Sequence, residues 1–321
     1  MPSPRQRERV FVVTESSCPL ATILRRLVPD DIRAISEGRI YVDDRRVESE
    51  DFRVDRGSKI TWYVRRDQSA KPRDTPFSIV ARRGDLVVAS KPSAFTCEPD
   101  RTGSVSSLRE AVADQLGARN VHVLTRLDVG VSGLVLMALS HAACSMATKL
   151  QSQHRITKSY FAMVKGTLGS DTVWIEPPCA NRNAATEVHV SGLSGTLRWS
   201  HEIQDAVTLL RVKPITGRKH QIRIHSSQHG HSLLGDRRYG GPAHAVKSDG
   251  TVIRFERLML HAYQLVIPWE SEDWTTICAA PPDMIDVWRE LGGDVSHLES
   301  EEVGAGSRMP CSGSGPGTPT R

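Results

Sequence analysis

The six cysteines of this chain, Cys18, Cys97, Cys144, Cys179, Cys278 and Cys311, are scattered, and no two stand in a Cys-x-x-Cys pair. That argues against a zinc ribbon or a disulfide framework and fits reduced thiols in a cytosol-like compartment. No apolar run approaches the ~20 residues that a membrane-spanning helix needs, and no internal repeat is present. The leader from Met1 to Arg9 has no apolar core, so it is not expected to be a secretory signal. Its arginines leave an organelle transit peptide as the lesser alternative to a cytoplasmic protein, and Glu8 weighs against that alternative. Charge is only mildly unbalanced: 42 Lys and Arg against 37 Asp and Glu give a net charge of +5. A moderately basic balance favours a polyanionic partner such as nucleic acid. The doublets Arg25-Arg26, Arg45-Arg46, Arg65-Arg66, Arg82-Arg83, Arg218-Lys219 and Arg237-Arg238 point the same way, although each alone reads as ordinary solvated surface.

A chain of 321 residues has room for two domains with cores that need no covalent staples. After a flexible basic leader at 1–9, residues 10–66 read as a small separate unit. Apolar residues recur at helical spacing in 21–27 and 31–35, on either side of Pro29, with Gly38 closing the second helix. Ile40-Tyr41-Val42 and the stretch from Lys59 to Val64 alternate as strands, with a turn at Asp43-Asp44-Arg45. Helix, helix, turn and short strands, with Glu37-Gly38-Arg39-Ile40-Tyr41-Val42-Asp43, are similar to the RNA-binding module named after ribosomal protein S-four. Asp30, Asp31 and Asp43 are acidic departures from that module and disfavour phosphate contacts.

Residues 67–76, with Pro72 and Pro76, read as a linker. A larger domain is expected over 77–291. It opens with strand-like runs at 77–80 and 86–90, and continues with a helix over 141–153 whose inner side carries Ala143, Met146, Ala147 and Leu150. Strands are expected at 160–164 and 207–212. From 292 to 321 the composition turns to Gly, Ser, Glu and Pro, too poor in apolar side chains to offset the entropy of ordering, so a disordered tail is expected.

Two stretches carry chemistry. Leu124-Thr125-Arg126-Leu127-Asp128 precedes the apolar run Ser132-Gly133-Leu134-Val135-Leu136, which places one carboxylate and one arginine at the mouth of a buried strand. A carboxylate held there beside cations stays ionised and is suited to act as nucleophile or base. The second stretch, from Thr216 to His225, brings several cationic donors together. A helix starting at Thr216 and Gly217 sets His220 and Arg223 three residues apart on one face. His220 and His225 lie five apart, whereas helical zinc pairs want a spacing of four and an acidic partner, so no metal is expected.

These stretches, in this order, resemble the RluA class of RNA pseudouridine synthases. Further matches are Lys158, Tyr160, Ala162, Val164 and Gly166 in one strand, then Gly235, Asp236, Tyr239, Gly240 and Gly241 in a turn, then Arg257-Leu258 leading to Leu260-His261-Ala262. Departures include Thr125 in place of histidine and Val129-Gly130-Val131 in place of a more polar run. The resemblance implies an α+β catalytic domain, a mixed and mainly antiparallel sheet with flanking helices, following the small S-four-like α/β module. It implies an isomerase without a cofactor that acts on structured RNA, ribosomal RNA ahead of transfer RNA, as a monomer away from membranes.

By the same resemblance Asp128 is the catalytic carboxylate and Arg223 its paired cation. Tyr160 presents a ring to the base, and Phe161, alternating with it, points away. Arg126 helps to evict the target nucleotide, whose extrusion costs a few kcal/mol in a duplex. Lys158, Arg218, His220 and Gln221 are expected to contact the substrate. Taken alone, Asp128 is an ordinary turn aspartate and Arg223 an ordinary exposed ion pair. Two other readings are a silent RNA-binding protein on the same fold, which has no need of the Asp128, Tyr160 and Arg223 trio, and a glycosidase, which needs a second carboxylate.

Overall fold

The structure, a computed structural model, describes residues 8–28, 34–35, 40–43, 45–47, 49–63, 77–99, 107–175, 184–198 and 204–298. The expected linker, the second amino-terminal helix apart from Ala34 and Ile35, and residues 299–321 lie outside them. Two compact units emerge: one drawn from 1–73 and 98–110, the other from 74–97 and 111–321. The grouping of 98–110 with the first unit departs from the expected boundaries.

In the first unit an antiparallel sheet runs in the order Glu8–Val12, Lys59–Tyr63, Ile40–Val42, Arg45–Val47. A helix, Leu20–Leu27, buries Leu20, Ala21, Ile23 and Leu24 and stops before Pro29, since the residue preceding a proline avoids helical geometry. Its outward Arg25 and Arg26 pair with Glu50 and Glu15. The expected leader is corrected at its end: Glu8 and Arg9 already pair with Tyr63 and Trp62. Val10 and Val12 on that strand are exposed, so backbone pairing to the central strand holds it more than side-chain burial does.

The second unit is built on a ten-stranded sheet. Its strands are β1 (Ser78–Arg83), β2 (Leu86–Lys91), β3 (Ser132–Ala138), β4 (Thr157–Lys165), β5 (Thr172–Ile175), β6 (Ala185–Leu193), β7 (Val207–Pro214), β8 (Leu260–Trp269) and β9 (Glu272–Ile277), with His122–Val123 as a short tenth. The order is β5-β6-β7-β4-β8-β3-β2-β1, with β9 on β8 and His122–Val123 on β3. Every pairing is antiparallel except β3 with β8, where Ser132 and Gly133 meet His261 and Ala262 in parallel. The mixed, mainly antiparallel sheet of the sequence reading is therefore present. Gly133 makes the parallel crossing feasible: its φ is +118°, and a Cβ there would stand 2.2 Å from the Ala262 carbonyl oxygen. Only glycine fits such a backbone approach.

Helix α1 (His141–Ser152) covers Leu86, Val88, Leu134, Leu136, Leu265 and Ile267, with Ala143, Ala147 and Leu150 turned inward. Met146, expected beside them, is 42% exposed, because the helix offers only a narrow stripe to the sheet. Helix α2 (Gln221–Gln228) follows β7. Helix α3 (Pro282–Glu290) closes a second cluster with Phe161, Met163, Leu209, Tyr263 and Trp288. The chain stays packed past 292: Leu298 is buried in this cluster, and the Trp288 indole nitrogen donates to the Asp294 carbonyl. The tail boundary expected at 292 is thus too early. The few apolar residues there, Val295 and Leu298, suffice because a ready-made pocket receives them.

Candidate active site

The loop before β3 is tied down from three sides. Thr125, buried, accepts from the Leu136 backbone N–H through its hydroxyl at 2.9 Å, a structural role at the position where the resemblance expects histidine. Leu127 exchanges weak hydrogen bonds with the Cys97 sulfur. Lys91, fully buried at the end of β2, donates to the carbonyls of Pro92, Phe95 and Val129 at 2.9, 2.8 and 3.2 Å. Burial lowers its pKa to about 8, because an ammonium loses hydration there; the carbonyl cage supplies compensating acceptors. Asp128 then starts a turn in which its carbonyl accepts from Val131, and its side chain lines an open cleft.

Across the cleft, α2 supplies Arg223. Its Nη1 donates to Asp128 Oδ2 at 2.8 Å, while Nε and Nη2 donate to the two oxygens of Asp236 at 2.7 and 2.8 Å. The Arg223 side chain is 13% exposed and that of Asp236 1%. Burial opposes the guanidinium charge, but the Asp236 and Asp128 carboxylates outweigh it and raise the Arg223 pKa. The Tyr239 ring lies 5.0 Å from the guanidinium carbon, a cation–π distance. Asp128, 26% exposed, is left open toward the cleft.

The stretch from Thr216 to His220 is a loop, not the first turn of α2 as the spacing suggested. Gln221 holds it shut: its Oε1 accepts from the Thr216 hydroxyl and the Arg218 N–H, and its Nε2 donates to the Ala185 carbonyl and Thr186 hydroxyl. That full set of partners gives Gln221 a structural role in place of the expected substrate contact. His220 caps α2 with left-handed backbone angles, φ 56° and ψ 22°.

The structure brings Arg126, Asp128, Lys158, Tyr160, Arg218, His220, Gln221 and Arg223 to the lining of one cleft, with Val131, Pro214, Ile222 and Leu260 as apolar walls. Tyr160 faces it from β4, and Phe161, out of phase, stacks on Tyr263 in the core at 4.1 Å. Arg126, Lys158, Arg218 and Arg223 make the cleft cationic around a single carboxylate, a potential that attracts a polyanion. Asp236, Tyr239 and Lys91 were missed as site residues. The Gly235-Asp236 turn was visible as a motif, but the partner that it holds was not. Among the described residues no group of three His, Cys, Asp or Glu is placed to bind a metal.

Comparison with known proteins agrees with this geometry. Residues 85–228 match the family model of RNA pseudouridylate synthases. An uncharacterised RNA pseudouridine synthase of Aquifex aeolicus is 27% identical over 266 residues, covering 77% of this chain and 84% of that protein. The ribosomal large subunit pseudouridine synthase D of Yersinia pestis is 26% identical over 299 residues, covering 87% and 92%. In three dimensions the human RNA pseudouridylate synthase domain containing 1 superposes with a TM-score of 0.53 at 25% identity, over 70% of this chain and 92% of the human one. The matched stretch contains the Asp128 loop, β4 and α2; it is similar to the RNA pseudouridylate synthase family, and with the relatives named for that activity it marks this chain as an enzyme of the isomerase class.

Proposed function

We propose that this enzyme converts specific uridines of ribosomal RNA to pseudouridine, using Asp128 and no cofactor. The observation that carries the reading is the Asp128 carboxylate, bonded by Arg223 at 2.8 Å in a cleft whose other charged walls are cationic. The reaction breaks the bond from ribose C1′ to uracil N1, turns the base and joins C1′ to C5. The proton leaving C5 is balanced by one gained at N1, so no redox partner is required. Asp128 acts on the sugar or on the base as nucleophile, or removes a ribose proton. Arg223 keeps its charge fixed while substrate excludes water, since a low dielectric strengthens the pair.

Tyr160 offers its ring to the base. Arg126, exposed at the cleft rim, fills the space left by the flipped nucleotide, and Lys158 and Arg218 take phosphates. Ribosomal RNA is favoured over transfer RNA because relatives spanning most of this chain carry the name of ribosomal large subunit pseudouridine synthase D. The amino-terminal unit acts as an S-four-like RNA-binding module. Its Asp43 accepts from the Lys59 N–H at 2.8 Å and so serves its own turn. The protein works as a cytoplasmic monomer. Mapping pseudouridines in cellular RNA with and without the gene tests the reading. Loss of modification at defined ribosomal positions is expected, and an unchanged map would favour a silent RNA-binding protein.

A further inference from the structure

The two oxygens of Asp128 are served by separate arms that start from the same turn. Oδ2 receives Arg223, which Asp236 grips. Oδ1 stands 3.5 Å from His220 Nε2, and the other ring nitrogen of His220, Nδ1, lies 2.8 Å from the Tyr239 hydroxyl. Asp236 and Tyr239 bracket one short helical turn, Arg237–Tyr239. Tyr239 is itself fixed, because its carbonyl accepts from the Ser227 and Ser232 hydroxyls at 2.8 and 3.0 Å.

The tautomer of His220 follows from its neighbours. A lone pair on Nε2 would face the carboxylate oxygen and be repelled, so Nε2 carries the proton and Nδ1 accepts from the Tyr239 O–H. His220 adopts left-handed angles, a conformation that histidine, like asparagine and aspartate, visits more readily than most residues with a side chain. Burial, together with Arg223, Arg238 and Lys219, lowers the His220 pKa, while Asp128 pulls the other way. The ring is therefore predominantly neutral near pH 7.

We propose that His220, oriented by Tyr239, is a positioning residue that steers Asp128 Oδ1, the oxygen Arg223 does not bond, onto the reacting nucleotide. This rests on Asp128 being the catalytic carboxylate. At 3.5 Å the ring stands just beyond hydrogen-bond contact, close enough to engage once substrate closes the cleft. Catalytic hydrogen bonds that are long in the free enzyme and tighten on binding are common.

Four variants of the full chain test it: Tyr239→Phe, His220→Asn, His220→Gln and Asp128→Asn, each assayed for single-turnover rate, RNA affinity and melting temperature. Asparagine tolerates the left-handed backbone but is too short to reach Oδ1, whereas glutamine places a donor near the Nε2 position. We expect His220→Asn to lower the turnover rate about tenfold, the worth of one lost hydrogen bond, with RNA affinity unchanged. His220→Gln should recover most of the rate. Tyr239→Phe keeps the ring over Arg223 and should lower the rate severalfold, with nitrogen NMR showing a mixed His220 tautomer. Wild-type rates in His220→Asn and Tyr239→Phe beside an inactive Asp128→Asn would overturn this inference alone. So would a loss confined to RNA affinity, which would make His220 a substrate contact. Should His220→Asn fail to fold, Tyr239→Phe decides by the same criteria. An active Asp128→Asn would overturn the underlying assignment as well.

Discussion

Asp236 holds Arg223 by both carboxylate oxygens, at 2.7 and 2.8 Å, and so aims the remaining guanidinium nitrogen at Asp128. The carboxylate assigned to chemistry is thereby governed by a second carboxylate 108 positions further along the chain, itself 1% exposed. A bidentate, buried pair of this kind fixes direction as well as charge. It also separates two tasks: Asp236 compensates the buried guanidinium, which lets Asp128 remain open to substrate.

Replacing Asp236 with Asn should therefore harm both folding and turnover. Removing one partner of a buried pair leaves an uncompensated charge, a loss of about 3 kcal/mol. Urea unfolding should register that loss, and single-turnover rates should fall more than RNA affinity does, because Arg223 loses its aim while the other cationic walls are untouched.

Lys91 never reaches the cleft, yet its three donated hydrogen bonds join the end of β2 to the carbonyl of Val129, next to Asp128. Lys91→Met keeps the length and removes the donors. We expect a stability loss of about 3 kcal/mol, roughly 1 for each orphaned carbonyl, and a slower reaction with little change in RNA binding. Thermal melting and turnover measured on the same preparation check this.

His261 provides a pH test. With the imidazole neutral, Arg257 donates to the Ser132 hydroxyl, Ser132 to His261 Nδ1, and His261 Nε2 to the Cys278 carbonyl. Burial lowers its pKa from 6.5 to about 4. Between those values the unfolded chain binds the extra proton and the folded one does not, so stability is full above pH 6.5 and lost as pH falls toward 4. The slope from this one group approaches 1.4 kcal/mol per pH unit. Urea unfolding at stepped pH should show that decline in the wild type and a shallower one in His261→Gln.

Much of the candidate site's geometry was legible because its residues lie in short motifs. Asp128, Arg126, Tyr160 and Arg223, expected from the residues or by resemblance, line one cleft, and the parity of β4 sent Phe161 and Tyr160 to opposite sides. What stayed hidden depends on the meeting of distant segments. Gln221 looks like a substrate amide until Thr216, Ala185 and Thr186 are seen to occupy it. Thr125 looks like a lost histidine until the Leu136 N–H is seen to need an acceptor. The start of α2 at Gln221 was invisible because a left-handed histidine carries no local signature. Leu298 joins the core although its neighbours are polar, since composition averages over the one side chain that packs.

In the proposed reaction Asp128, held by Arg223, performs the isomerisation. The direct measurement is pseudouridine formation by purified wild-type protein and Asp128→Asn on ribosomal RNA transcripts, with RNA affinity and melting temperature measured in parallel. Asp128→Asn should leave binding and fold intact and abolish product at every position that the wild type modifies. Product formed by the variant at a rate close to that of the wild type would contradict the account.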